Sequence, residues 1–189
     1  KVENTSAARP WFGLAEADIV FVEMVEGGLT RFHAVYNSAF PEVIGPVRSL
    51  RPMDAGILGM WDATLFASGG VPAFIGKVRD AVDVRMEDGG DDGFFRSSGR
   101  RAPHNLMVDI PSVLDQLPVP ESITPMFAFS DAPSTVGGPA AAEISVNYPG
   151  ASSSWTWDPA TGTFLRSDSG TAAVQDDGLD VGHLGDRRT

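Results

Sequence analysis

The chain has 189 residues, 42% of them hydrophobic, which suffices for a buried core in one domain, or in one domain with a small appended unit. Its 25 Asp and Glu residues outnumber 14 Lys and Arg residues, and the net charge of -11 disfavours nucleic acid and anionic membrane surfaces as partners. The absence of cysteine excludes disulfides, zinc–thiolate sites, iron–sulfur clusters and cysteine nucleophiles. No segment approaches the roughly 18 consecutive apolar residues of a membrane-spanning helix.

The first predicted element is a β-hairpin at residues 18–37. Two runs rich in apolar, β-branched and aromatic residues flank Gly27 and Gly28, and two glycines can both adopt the positive φ of a tight two-residue turn. Because side chains alternate along a strand, Arg31 and His33 are expected on one charged face, opposite an apolar face.

The residues after the hairpin indicate short helices alternating with strands. Apolar spacing and the positions of proline and glycine predict, in order, a helix at 51–61, a strand at 62–70, a helix at 71–81 and a strand at 83–87. The polar, glycine-rich segment 88–103 is predicted to be a loop, and 111–117 a short helix.

The last third of the chain has a different pattern. Five prolines in 118–142 predict an irregular connection, apart from a short strand at 126–130. Strand-like segments separated by turns then predict an antiparallel meander, followed by a tail at 176–189. We therefore predict an α/β (mixed α+β) fold, with a mixed sheet, short helices and a small antiparallel β extension. The expected divisions are 1–117 as the N-terminal domain, 118–142 as the connection, and 143–189 as a partial C-terminal β domain with the tail.

The basic residues concentrate in three stretches: Arg31 with His33, Arg48 with Arg51, and Arg96, Arg100 and Arg101 with His104. Guanidinium groups are the preferred donors to carboxylate and phosphate oxygens, so a converging set would form an anion site. Alternatively, these arginines pair with the protein's own acids, such as Glu23, Glu26 or Asp54, and only hold loops in place.

His104 and Asn105 follow Pro103, which restricts the loop that presents them. A histidine titrates near neutral pH and can act as an acid, a base or a ligand, but it is also a common structural hydrogen-bonding residue. The three histidines are scattered and have no carboxylate at ligand spacing, so we predict no metal site. Nucleotide-binding glycine motifs are also absent from the sequence, and we expect no cofactor.

Three segments taken together, 7–38, 44–52 and 100–109, resemble the YerB-like family of bacterial lipoproteins, whose two domains have no assigned function. The resemblance extends over roughly residues 7–117, and 155–170 looks like the start of the family's small C-terminal β domain. The positions that match the family's motifs are Glu26, Gly27, Gly28, Arg31, Gly45, Pro46, Arg48, Ser49, Arg51, Pro103, His104, Asn105 and Arg166.

The resemblance implies export across a bacterial cytoplasmic membrane, with membrane attachment only through a lipid on an N-terminal cysteine that this chain does not contain. The expected location is extracytoplasmic, either anchored or secreted. The resemblance implies no established enzymatic activity. The candidate ligand-binding residues are Glu26, Arg31, Arg48, Ser49, Arg51, His104 and Asn105.

Three functions remain open at this point. The favoured hypothesis is a cell-envelope protein that binds an anionic small molecule or envelope component through the arginines, without catalysis. The second is a hydrolase or transferase acting on an envelope phosphate or glycan, with Glu26 or His104 as acid or base. The third is a scaffold whose exposed sheet edge binds a protein partner. The binding hypothesis predicts that Arg31, Arg48 and Arg51 converge with His104 and Asn105, and that losing Arg48 or Arg51 barely affects stability.

Overall fold

A computed structural model describes residues 1–119, 125–128 and 140–173 of the protein. Strand β1 (Val2–Glu3) is followed by β2 (Ile19–Met24) and β3 (Thr30–Val35). Strands β2 and β3 pair antiparallel, which confirms the predicted hairpin, and β1 pairs with the other edge of β3.

The hairpin connection is longer than predicted. The last strand pair is Met24 with Thr30, so five residues form the connection, and the prediction of a two-residue turn is wrong. A 3-10 turn, Glu26–Gly28, fills it, and both glycines adopt the expected positive φ, at 73° and 71°. The N–H of Val25 donates to the carbonyl of Leu29 at 2.8 Å and closes the base of this longer connection.

The middle of the chain contains the two predicted helices. Helix α1 (Asp54–Leu58) begins only at Asp54, because the residues around Pro52 form turns. Helix α2 (Pro72–Arg79) has Pro72 in its first turn, as is typical of proline. Strands β5 (Thr64–Ala67) and β6 (Asp83–Met86) pair in parallel, and α2 connects them. The elements are β4 (Val43–Ile44), α1 (Asp54–Leu58), β5 (Thr64–Ala67), α2 (Pro72–Arg79) and β6 (Asp83–Met86).

The prediction that 88–103 is entirely loop is wrong. Strand β7 (Phe94–Arg96) lies within it and pairs antiparallel with β8 (Leu106–Asp109). The pairing with β8 defines this strand, which the surrounding glycines conceal in the sequence, and the ring centroid of Phe94 lies 5.9 Å from that of Phe66. The helix expected at 111–117 is reduced to a single 3-10 turn.

The C-terminal meander is confirmed. Its four strands are β9 (Glu143–Tyr148), β10 (Ala151–Asp158), β11 (Thr163–Asp168) and β12 (Thr171–Ala172), and each pairs antiparallel with the next. The described part of the expected strand at 126–130 is not a strand, and residues 129–130 and the predicted tail lie outside the described residues. The described residues thus form four small sheets rather than one mixed sheet, with two short helices.

Two apolar clusters form the core. The first gathers side chains from the hairpin, the N-terminal segment and β8, and it also includes Ala173 from the end of the C-terminal meander. The guanidinium of Arg166 on β11 lies 4.3 Å from the ring centroid of Phe32, so the C-terminal sheet packs against the hairpin. The second cluster packs α1 and α2 against β5 and β6. Among the described residues, no helix has the length and apolar character needed to cross a membrane.

Candidate functional site

The segment after Gly45, which carries three candidate residues, is held by backbone contacts with its neighbours. A Cβ at Gly45 would lie 2.4 Å from the sulfur of Met107, so this close approach to β8 requires glycine. The N–H of Val47 donates to the carbonyl of Leu106 at 2.7 Å, and that of Leu50 donates to the carbonyl of Gly69 at 2.9 Å. Arg48 and Arg51 therefore project from a fixed backbone.

Arg48 forms an ion pair with Glu3, a residue that the sequence did not single out. The Nε and Nη2 atoms of Arg48 donate to the two carboxylate oxygens of Glu3 at 2.9 and 3.0 Å. Nδ1 of His104 lies 2.9 and 3.0 Å from the same oxygens, and the hydroxyl of Thr5 donates to one of them at 2.7 Å. Burial alone would raise the pKa of Glu3, but hydrogen bonds from Arg48, Thr5 and His104 outweigh it and lower that pKa below its ordinary value.

Arg51 pairs with Glu26 in the hairpin connection. Its Nε donates to both carboxylate oxygens at 2.9 Å, and its Nη2 donates to Oε2 at 2.7 Å. These hydrogen bonds lower the pKa of Glu26. The side chain of Glu26 is 66% exposed, so this pair lies at the surface and ties the hairpin connection to the segment after Gly45.

Arg31 differs from the other two arginines. Its Nη1 donates to the backbone carbonyl of Ser49, and it forms no ion pair with a carboxylate in the described part of the chain. Burial, with the nearby charges of Arg51 and Arg48, lowers the pKa of Arg31 to about 10, so the group is still charged at neutral pH. Arg31 is thus a half-buried cation whose main protein contact is a neutral carbonyl.

A cavity of about 250 Å³ opens beside Arg31. It lies between the hairpin connection, the N-terminal segment and the segment after Gly45. Its walls combine two carboxylates, two guanidinium groups, two hydroxyl groups and an apolar side formed by the hairpin connection. The lining residues are Glu3, Thr5, Val25, Glu26, Leu29, Thr30, Arg31 and Arg48.

The candidate residues converge only in part. Glu26, Arg31 and Arg48 line the cavity, Arg51 holds Glu26, and His104 reaches the site through Glu3. Ser49 supplies its carbonyl to Arg31, while its hydroxyl lies 3.3 Å from that of Ser68.

Two candidate basic or polar positions in the loop before β8 are held by other partners. Asn105 accepts a hydrogen bond from Arg96 at 3.0 Å, and Arg96 also pairs with Glu87. Arg100 donates to the carbonyls of Ala8 and Pro10.

His33 lies on the same charged face of β3 as Arg31, as predicted, and there belongs to a buried cluster of charged side chains. Its Nδ1 lies 3.4 Å from Glu23 and 3.5 Å from Asp54, and the ammonium group of Lys1 contacts both carboxylates. Burial would raise the pKa of Asp54, but its interactions with His33 and Lys1 lower it. Ligand atoms of Glu23, His33 and Asp54 lie within 4.8 Å of one another, a grouping that the sequence spacing did not indicate. The ammonium group of Lys1 already balances part of their negative charge.

The fold is that of a mixed α+β protein built from several small sheets, with an arginine-lined cavity at the hairpin connection. Residues 1–120 match the family described as "Protein of unknown function (DUF3048) N-terminal domain", and the chain belongs to this family.

Two comparisons agree with this assignment. The chain is 35% identical over 106 residues to "Putative lipoprotein YerB" of Bacillus subtilis (strain 168), an alignment that covers 55% of this chain and 32% of the relative. It also resembles the crystal structure of the YerB protein from Bacillus subtilis, with a TM-score of 0.79 and 24% identity over 95% of this chain and 63% of the solved one. The chain therefore spans less than two thirds of either relative's length, and the structural likeness establishes the fold.

Proposed function

We propose that the protein is a bacterial cell-envelope protein that binds an anionic ligand in the cavity beside Arg31. The observation that carries the proposal is that Arg31 is charged and half-buried, and lines a cavity without a carboxylate partner in the described residues. Guanidinium groups in such positions favour an anion, because a buried charge is costly unless it is paired. The envelope location is supported by the name of the curated relative, a putative lipoprotein.

The other two arginines contribute charge and shape rather than free donors. Arg48 and Arg51 each pair with a glutamate, and both raise the positive potential felt at Arg31. The proposed binding role therefore rests on Arg31, with Arg48 at the cavity wall. His104 and Asn105 are not needed as direct ligand contacts, because His104 is held by Glu3 and Asn105 by Arg96.

A scaffold role is the second candidate, and the same ion pairs favour it. The scaffold hypothesis expects arginines capped by acids, and both Arg48–Glu3 and Arg51–Glu26 meet that description. In that role the cavity would be incidental, and the exposed edge strand β9 would supply backbone groups for a protein partner. Arg31 is the residue whose behaviour separates the two functions.

The test is a thermal-shift screen of the purified protein against a panel of small anions at constant ionic strength. A ligand that binds only the folded state raises the melting temperature, and the rise grows with the logarithm of the ligand concentration above the dissociation constant. We expect at least one anion to stabilise the wild type and not Arg31→Gln, whereas Arg79→Gln, at the exposed end of α2, should behave as wild type. Equal shifts in all three proteins, or none, would contradict anion binding and favour the scaffold.

A further inference from the structure

From the geometry of the cavity we infer that the ligand is a singly charged carboxylate that bears a short aliphatic group. This inference rests on the proposed function and narrows it to one chemical class. The arguments are the charge of the site, the donor geometry of Arg31 and the apolar side of the cavity.

The site carries an excess of one positive charge. Arg31 and Arg48 line the cavity together with Glu3 and Glu26, and Arg51, which pairs with Glu26 from outside the lining, adds a third cation against the two anions. One carboxylate group neutralises this excess. A phosphate monoester, which is a dianion above its second pKa of about 6, would place an additional negative charge beside two glutamates.

The free donors also suit a carboxylate. Arg31 uses Nη1 for the carbonyl of Ser49, and its Nε and Nη2 atoms have no hydrogen bond to the described residues. These two atoms form one edge of a planar fork, and such an edge binds the two oxygens of a carboxylate through parallel hydrogen bonds. Of the two hydroxyls of the cavity, that of Thr5 donates its proton to Glu3, and that of Thr30 accepts from Asn4 at 2.9 Å, so Arg31 supplies the paired donors of the cavity.

The hairpin connection provides an apolar wall. Val25 and Leu29 line the cavity, and Leu29 remains 41% exposed. An aliphatic group next to the carboxylate would cover this surface and gain hydrophobic stabilisation. The volume of about 250 Å³ is below the range of about 300–1,000 Å³ typical of drug-sized ligands, so the group is small. A free branched carboxylic acid and the C-terminus of a peptide ending in valine or leucine share this chemistry.

NMR titrations of the 15N-labelled protein at pH 8 and constant ionic strength test the inference. Isovalerate is a carboxylate monoanion and isobutyl phosphate is a dianion at this pH, and both carry the same isobutyl group. Acetate is a carboxylate monoanion that lacks this group. We expect isovalerate to shift the signals of residues 25–31 and to bind about tenfold more tightly than acetate, with isobutyl phosphate weaker than isovalerate. Binding should be lost in Arg31→Gln and weakened in Arg31→Lys, which keeps the charge but not the fork.

Paired variants separate the apolar wall from general effects on the fold. Leu29→Ser should weaken the binding of isovalerate and leave that of acetate unchanged, whereas Leu114→Ser, at a leucine of similar exposure far from the cavity in sequence, should change neither. A valine-terminated tripeptide with a free or an amidated C-terminus identifies the source. Tighter binding of the free tripeptide than of isovalerate indicates a peptide, and weaker binding indicates a free acid.

The outcomes distinguish the two proposals. If isobutyl phosphate binds through Arg31 more tightly than isovalerate, the carboxylate inference is overturned while anion binding stands. If acetate and isovalerate bind with equal affinity, the inference that the ligand bears an aliphatic group is overturned. If none of the anions depends on Arg31 in a variant that melts cooperatively, both the inference and the proposed function fail.

Discussion

The carboxylate of Glu3 lies 2.9 Å from Nδ1 of His104, although 101 positions separate the two residues in the chain. The same carboxylate, only 2% exposed, receives two hydrogen bonds from Arg48. One buried acid thus joins the N-terminal strand, the segment after Gly45 and the loop that carries His104. The position of Arg48 at the cavity depends on this acid.

We expect Glu3→Gln to lower the free energy of unfolding by about 1–3 kcal/mol, because the neutral amide leaves Arg48 without its charged partner. Chemical denaturation at pH 7 measures the change. The matched control is Glu87→Gln, which removes the acid of the exposed pair with Arg96 and should cost less than about 1 kcal/mol. Equal losses for the two variants would argue against a structural role for Glu3.

The stabilising effect of Glu3 should disappear in acid. Its folded-state pKa is lowered, so the unfolded chain takes up this proton first as the pH falls. The contribution is therefore complete above the unfolded pKa of about 4.3 and is lost as the pH falls through the lower folded value. The stabilities of wild type and Glu3→Gln should differ most at pH 6–7, begin to converge near about pH 4 and become equal only below the folded-state pKa of Glu3; a constant difference would refute the linkage.

Arg48 and Arg51 should respond differently to replacement, contrary to the expectation from sequence that both are tolerated. Arg48→Ala leaves the carboxylate of Glu3 buried without its main partner, and we expect a loss of about 1–3 kcal/mol. Arg51→Ala leaves the exposed carboxylate of Glu26 hydrated, so this variant should lose less than about 1 kcal/mol of its free energy of unfolding. Urea denaturation of both variants checks the order, and the reverse order would show that the ion pairs are misassigned.

The hairpin connection offers a matched pair of glycines. Gly27 and Gly28 both have positive φ, so alanine at either position is expected to cost about 1 kcal/mol in backbone strain. A Cβ at Gly28 would also lie 2.6 Å from the backbone nitrogen of Gly150, whereas one at Gly27 meets nothing within 4 Å. Gly28→Ala should therefore lower the melting temperature more than Gly27→Ala. A larger drop for Gly27→Ala would mean that the meander does not pack against the hairpin.

The local elements were predictable because their signals are local. The two glycines indicated the hairpin, and proline with apolar spacing indicated α2. The strand at Phe94–Arg96 was missed because its stability comes from pairing with β8, which no residue of the segment itself signals. The length of the hairpin connection was missed for a similar reason, since glycine permits several turn types.

The sequence indicated the arginines near the cavity but not Glu3, the acid that pairs with Arg48. The motif residues Arg48 and Arg51 stood out in an acidic chain, and both lie near the cavity. Glu3 belongs to no motif, and its role follows only from β1 pairing beside Arg31, which brings it near Arg48. Asn105 shares a motif with His104, yet adjacent residues of a chain can face different partners, and Asn105 binds Arg96. The expected division into domains at 118–142 stays a prediction.

Anomalous diffraction from crystals soaked in sodium bromide shows whether the cavity beside Arg31 takes an anion. Bromide is a monoanion, and its anomalous signal locates it whatever the natural ligand is. We expect an anomalous peak within hydrogen-bonding distance of Nε or Nη2 of Arg31 in the wild type, and its loss in crystals of Arg31→Gln that keep the same fold. Bromide peaks elsewhere on the surface with none at Arg31, or an unchanged peak in the variant, would contradict it.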